Sequence, residues 1–146
     1  MRWPAAGARE RGSAPIEAVI VVPLLLAFGL LFLAGARLSF ADQKTDAAAQ
    51  AAARAASLAR TPGEGQSAAQ QAAAGALASQ QQECTDTSVT ADTGGLAVPV
   101  GQVSQVTVTV ACTVPIGDLL LVGGGPGTKT VTSTFTSVVD AYRERG

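Results

Sequence analysis

An uncharged, apolar stretch near the start of the chain is the strongest constraint on its structure. Residues 18–36 carry no charge and consist mainly of Val, Leu, Phe and Ala. About 20 such residues in one helix cross the roughly 30 Å hydrocarbon core of a membrane. The basic residues Arg2, Arg9 and Arg11 precede the stretch, against the single acidic Glu10. Because positive charge beside a span favours the cytoplasmic side, we expect a single-pass cell-membrane protein with its N-terminus inside and its C-terminal part outside.

The composition of the chain argues against several classes of function. The 146 residues include no His, which removes the commonest metal ligand and the usual general base at neutral pH. The net charge is -1, and the basic residues form no face that could neutralise phosphates. Ser and Thr are numerous, but no His or paired Lys is present to activate them. We therefore expect no enzymatic activity, no cofactor or metal, no nucleic acid and no small-molecule substrate.

The helix is expected to extend beyond the apolar stretch. Pro15 is suited to the first helical turn, and Glu17 lies against the positive end of the helix dipole. Pro23 removes one backbone hydrogen bond inside the span and should bend it. After the span, neither Pro nor Gly occurs before Pro62. The sequence thus predicts a transmembrane helix and helical stalk over residues 13–60.

One side of this stalk carries a stripe of small residues, which would let another helix or sheet approach closely. Two alternatives are open. The stripe either covers the C-terminal part of the same chain or packs against a partner protein. Its members are Leu38, Ala41, Ala48, Ala52, Ala55 and Ala59.

The rest of the chain changes from helical to strand-like patterning. Residues 61–65 predict a break, and the Ala/Gln-rich residues 67–82 predict a weaker second helix interrupted at Gly75. Strict alternation of Val with Thr in residues 106–110 and a β-rich run at 128–139 predict strands. We therefore expect an α+β fold in which a small antiparallel sheet of three or four strands is covered on one face by a helix.

The expected organisation has four parts. Residues 1–12 form a cytoplasmic leader, 13–60 the transmembrane helix and stalk, 61–83 an Ala/Gln-rich linker or second helix, and 84–146 an extracytoplasmic β-rich region. Within the last part, the Gly-rich residues 123–127 lack the Lys and Ser/Thr of a phosphate-binding loop and are expected to form a turn.

Cys84 and Cys112 fall in the part of the chain that is expected to be exported, where a disulfide can form. A bridge between them would close a loop of about 28 residues and stabilise the domain by roughly 3–4 kcal/mol. The alternative is a pair of buried free thiols. Two cysteines without His do not complete a metal site by themselves.

The N-terminal pattern resembles that of type IV prepilins. Basic residues are followed by Gly12, then by four residues beginning at Ser13, and then by Glu17 at the start of a long apolar helix. Residues 11–60 resemble the N-terminal half of TadE-like pseudopilins of the tight-adherence (Flp) pilus system. In those proteins a Glu, a Pro within the span, an Arg closing it and an Ala/Arg-rich helix recur in this order.

The resemblance implies a non-enzymatic, membrane-anchored component of pilus assembly or secretion. It also implies processing, in which a prepilin peptidase cuts between Gly12 and Ser13. Glu17 would then be the fifth residue of the mature protein and pair with the N-terminal amine of an adjacent subunit. The other implied partners are further pseudopilins or pilins and the inner-membrane platform of the pilus machine with its ATPase.

Two simpler interpretations stay open for this region. In the first, Glu17 is an ordinary acidic residue of a first helical turn, and its interaction with the helix dipole stabilises the helix by well under about 1 kcal/mol. Residues 34–36, Ala-Gly-Ala, also fit the small-x-small rule of a general signal peptidase. Cleavage there would release a secreted binding module that begins at Arg37.

Overall fold

The computed structural model describes residues 14–117 and 127–142, with side chains from residue 17 onward. The described chain contains two helices, a short 3₁₀ helix and three strands, which confirms the predicted α+β class. Residues divide into an N-terminal unit, Met1–Arg37, and a head, Leu38–Gly146. The elements in chain order are α1 (Ala14–Ser57), α2 (Pro62–Ser79), β1 (Asp86–Asp92), the 3₁₀ helix Gly94–Ala97, β2 (Ser104–Pro115) and β3 (Thr128–Val139).

The N-terminal unit is helical from Ala14 onward, and its apolar side chains are exposed. Glu17 lies in the first turn of α1, and Pro23 lies inside the helix. Every residue from 17 to 33 is exposed, with Leu31 at 70% and Phe32 at 78%. The mean hydropathy of this part of α1 reaches 2.7, and by length and composition the helix could cross a membrane.

The head is built on an antiparallel sheet of three described strands in the order β1-β2-β3. The register is continuous from Ser104 opposite Val139 to Pro115 opposite Thr128, without a bulge. From Val106 to Val114, even-numbered residues of β2 are buried and odd-numbered ones are half-buried. The predicted alternation at residues 106–110 is therefore confirmed. The predicted turn at 123–127 lies outside the described residues, apart from Gly127.

The core of the head is formed largely by alanine methyl groups. Ala48, Ala52 and Ala56 of α1 are fully buried in one cluster with residues of α2 and the inner face of β2. Two polar contacts fix the same stretch of α1 to β3. The Ser133 hydroxyl donates to the Asp46 carboxylate, and the Ser137 hydroxyl donates to Ser57 Oγ at 3.2 Å. The members of the cluster are Ala48, Ala49, Ala52, Ala53, Ala56, Ala69, Ala73, Leu77, Leu96, Val106, Val108, Val110 and Val139.

This packing decides between the two alternatives for the small-residue stripe. Ala48 and Ala52 are inaccessible inside the chain's own head, so the stripe covers the sheet. The alternative that these residues form a docking surface for a partner is wrong. The short side chains are needed where the helix meets the sheet, because larger ones would force the two apart.

The connection between the two helices differs from the expected break at residues 61–65. Thr61 is the N-cap of α2, and its side chain accepts a hydrogen bond from the Glu64 N–H at 3.3 Å. The Glu64 carboxylate in turn accepts from the Arg60 N–H at 3.2 Å. Pro62 lies in the first turn, where its missing N–H costs nothing. These residues therefore begin α2.

The helix α2 also continues through Gly75, where an interruption was expected. Burial of one of its faces, through Ala69, Ala73 and Leu77, outweighs the roughly 1 kcal/mol that a glycine costs inside a helix. Gly65 on the same helix has a different role. A Cβ there would lie 2.6 Å from Leu96 Cδ1 and 3.0 Å from Thr93 Cγ2, so only glycine allows this close approach.

The buried stripe leads to a first prediction. Ala52→Leu should lower the free energy of unfolding of the head by about 1–3 kcal/mol, because the added methyl groups have no space. Ala47→Leu is the matched control, since Ala47 is exposed on the same helix and should change stability by less than about 0.5 kcal/mol. Urea unfolding of the detergent-solubilised chain, followed by circular dichroism, measures both. Equal stability of the two variants would contradict the described packing.

The two glycines of α2 give a second prediction with an opposite sign at each position. Gly75→Ala should raise the free energy of unfolding by about 0.5–1 kcal/mol, because its Cβ meets nothing within 4 Å and alanine favours helix. Gly65→Ala should lower it by about 1 kcal/mol, because the added Cβ would force the fully buried Leu96 side chain to shift within the core. Thermal unfolding distinguishes them, and a stabilising Gly65→Ala would be inconsistent with the close approach.

Candidate functional site

The exposed apolar surface of the N-terminal unit is the first candidate site. Soluble proteins rarely expose continuous apolar surface larger than a few hundred Å². Residues 18–33 are exposed without interruption and carry no charge. By length and composition, the helix that carries this surface could cross a membrane.

The residues of the predicted processing site are only partly described. Gly12 and Ser13 lie outside the described residues. Glu17 is exposed in the first turn of α1, where the positive end of the helix dipole favours a carboxylate. No charged residue occurs between Glu17 and Arg37. Glu17 thus lies at one boundary of the apolar surface.

Cys84 and Cys112 are joined in a disulfide, as predicted, at a sequence separation of 28. Cys112 is fully buried on the inner face of β2, whereas Cys84 follows α2 and is half-buried. The bridge contacts a second small cluster that contains Ala41, Val114 and Val131. It therefore fastens the segment after α2 to the sheet where the surrounding side chains are small.

The outer face of the sheet carries threonine hydroxyls that pair across β2 and β3. Thr107 and Thr136 lie 3.0 Å apart between hydroxyl oxygens, and Thr109 and Thr134 lie 2.9 Å apart. Such cross-strand pairs stabilise a sheet by roughly 0.2–1 kcal/mol each. Within residues 17–117 and 127–142, no group of three or more His, Cys, Asp or Glu side chains could hold a metal ion.

A shallow groove of about 220 Å³ lies between α2 and β1, and no sequence pattern indicated it. Gln66 and Gln70 of α2 form one side, and Val89, Thr90 and Ala91 of β1 form the other. The groove depends on where α2 lies over the edge of the sheet, which no local pattern encodes. It contains no pair of groups suited to acid–base or nucleophilic catalysis.

Residues 12–54 match the family model of the TadE-like proteins. The matched segment begins at Gly12 and includes the apolar surface and most of the buried part of α1. This confirms the predicted resemblance and indicates a pilus-associated component. No curated protein and no solved structure matches the chain.

The disulfide gives a third prediction. Replacing both cysteines by serine should lower the free energy of unfolding by roughly 3–4 kcal/mol, because the unfolded chain regains the freedom of a 28-residue loop. Unfolding by urea with and without a reductant measures the effect on the unsubstituted chain. The doubly substituted chain is the control and should be insensitive to the reductant. No loss of stability on reduction would contradict the role given to the bridge.

Proposed function

We propose that the protein is a membrane-anchored, non-enzymatic pseudopilin of a pilus assembly or secretion machine. The observation that carries this proposal is the exposed, charge-free helix surface within a segment that matches the TadE-like family. Proteins of that kind act by assembling and not by catalysis. The proposed partners are a prepilin peptidase, other pseudopilins or pilins, and the inner-membrane platform.

The proposed orientation places the N-terminus in the cytoplasm and the head outside the membrane. Arg2, Arg9 and Arg11 precede the apolar helix, and such positive charge is retained on the cytoplasmic side. The disulfide between Cys84 and Cys112 supports export of the head, because such bonds persist in oxidising compartments.

Each of the four segments of the chain has its own proposed role. Residues 1–12 are a leader that directs insertion and is removed. Residues 13–60 anchor the protein and begin the head, the helical linker 61–83 covers part of the sheet, and residues 84–146 supply the extracytoplasmic β-rich surface. Only the first of these parts would be absent from the mature protein.

The proposed role of Glu17 is to select and align a neighbouring subunit. Cleavage after Gly12 would create a positively charged amine at Ser13. A carboxylate at the membrane boundary is costly alone and much less so beside a cation. The amine of an adjacent copy or relative provides that cation, and the apolar helices on either side then lie at the same depth.

The alternative is a secreted binding module released by cleavage after Ala36. This would remove the apolar surface and part of α1, and leave the head beginning with Arg37. The TadE-like match crosses this position without interruption, which favours the anchored form.

A fourth prediction concerns processing in a host that carries a tight-adherence pilus system. The intact mass and N-terminal sequence of the membrane-extracted protein should show a start at Ser13. Gly12→Leu should leave residues 1–12 attached, because the peptidase requires a small residue there. Ala36→Leu is the matched control and should not change the product. A start at Arg37 that Ala36→Leu abolishes would overturn the anchored form, and a start at Met1 would overturn the role of Gly12.

A further inference from the structure

The sheet of the head has two open edges of different character. Within residues 14–117 and 127–142, no further strand lies beside β1 or β3. An open edge presents unpaired N–H and C=O groups, and proteins usually protect it with charges, proline or bulges. β1 is short and has Asp86 and Asp92 at its ends. β3 has 12 residues, no proline, no bulge and one charge, Lys129.

The register shows which backbone groups each edge presents. The Ile116 N–H donates to the Gly127 carbonyl at 2.7 Å, and hydrogen-bonding pairs alternate along antiparallel strands. Odd-numbered residues of β3 are therefore bonded to β2, and even-numbered residues present their N–H and C=O groups to the open edge. On β1 the even-numbered residues are bonded to β2, because they lie opposite its odd-numbered residues, which do not bond to β3. The odd-numbered residues of β1 therefore present their N–H and C=O groups to the open edge.

The two edges are complementary to each other. Both outer strands are antiparallel to β2, so β1 and β3 run in the same direction. If a second copy lies beside the first, β3 of one meets β1 of the next in parallel. In parallel pairing each residue bonds to the neighbours of the residue opposite it. The even-numbered groups of β3 then meet the odd-numbered groups of β1, and the helices of both copies lie on the same face.

The direction of α1 in the head favours this arrangement over pairing of two β3 edges. Asp46 of α1 contacts Ser133 and Ser57 contacts Ser137, so the helix runs along the direction of β3. A twofold β3–β3 contact would turn one α1 by 180° and point the two Leu38 ends in opposite directions. The span joins the head at Leu38, so copies in one membrane need the same direction. This step rests on the proposed membrane anchoring.

The charged residues of the two edges do not pair in this contact. Asp86 lies level with Thr130 on the outer face, whereas Lys129 lies opposite Val114 and hence on the inner face. A parallel contact between two β3 strands would bring Lys129 against its own counterpart.

An aromatic side chain and a groove also lie at the same level of the sheet. Phe135 is level with Ala91, is half-buried and lies on the inner face of β3. Ala91 lines the groove of about 220 Å³ beside β1. Phe135 of one copy would therefore lie beside Ala91 at the β1 side of the groove of the next copy, while it stays packed against its own core.

We propose that the open β3 edge is a docking site for the β1 edge of a second copy of this chain. The contact is heterologous, since different edges meet, and each copy added leaves one edge of each kind free. Such contacts build rows or helical assemblies unless they close into a ring. The paired edges, and Phe135 beside the groove, define the contact.

Cysteine cross-linking in membranes tests this contact. Thr134 lies level with Thr90, and both are exposed on the outer face. Within one chain they are two strands apart, about 9.6 Å, which is too far for a disulfide. Cells that make two differently tagged full-length copies, Thr134→Cys and Thr90→Cys, should yield a mixed dimer on mild oxidation. A chain that carries both substitutions should yield a ladder of oligomers.

The single variants are the controls, and each should stay monomeric when made alone. Ser88→Cys and Asp92→Cys replace Thr90→Cys in parallel experiments to include registers shifted by two residues. A dimer of Thr134→Cys alone would overturn the proposal in favour of twofold pairing. The absence of any mixed dimer with all three partners would also overturn it.

All samples are membranes washed with carbonate, which removes proteins that are not anchored. The wash distinguishes failure of the edge contact from failure of the proposed function. Protein that stays in the membrane but does not cross-link overturns the edge contact alone. Protein that is released by carbonate overturns the membrane anchoring on which both depend.

Discussion

The close packing of alanine methyl groups between α1 and the sheet is the interaction on which the rest of the head depends. Ala48, Ala52 and Ala56 allow the helix to lie against β2 without a gap. The same helix, before Arg37, exposes large apolar side chains. One helix therefore has an exposed apolar part and a part buried in the head, and the change occurs over a few residues between Arg37 and Ala41. The exposed part could cross a membrane by length and composition, and the buried part belongs to the core of the head.

A core made of alanine and valine supplies little buried area, so the head relies on close approach and covalent constraint. Among the residues that the structure describes, the largest fully buried side chain is Leu96, which lies in the 3₁₀ helix. A Cβ on Gly95 would lie 2.1 Å from the Gln105 carbonyl oxygen, so this helix rests directly on the backbone of β2. Gly65 allows α2 to approach Leu96 from the other side. The disulfide then limits the freedom of the unfolded chain in a domain whose hydrophobic stabilisation is modest.

The sequence predicted the features that are encoded locally. Absence of charge identified the span, alternation at residues 106–110 identified the central strand, and the two cysteines in the expected exported part suggested a bridge. The features that depend on tertiary contacts were missed. Burial of one face outweighed Gly75, and Thr61 with Glu64 capped a helix where a break was expected. The groove at Gln66 and Ala91, the open edges and the choice between the two uses of the alanine stripe all require the placement of helices on the sheet. The processing residues Gly12 and Ser13 rest on resemblance alone.

The proposed function requires that lipid surrounds residues 18–36 of α1 and that water and the sheet surround residues 41–57. Lipid-phase photolabelling measures this difference. A photoactivatable probe dissolved in the bilayer is activated, and the labelled residues of the full chain are located by mass spectrometry. Labels should appear around the whole circumference of residues 18–36, including Leu25, Phe28 and Phe32, which are exposed. Residues 41–57 should remain unlabelled because water and the sheet surround them. Labels within residues 41–57, or none within 18–36, would contradict the account.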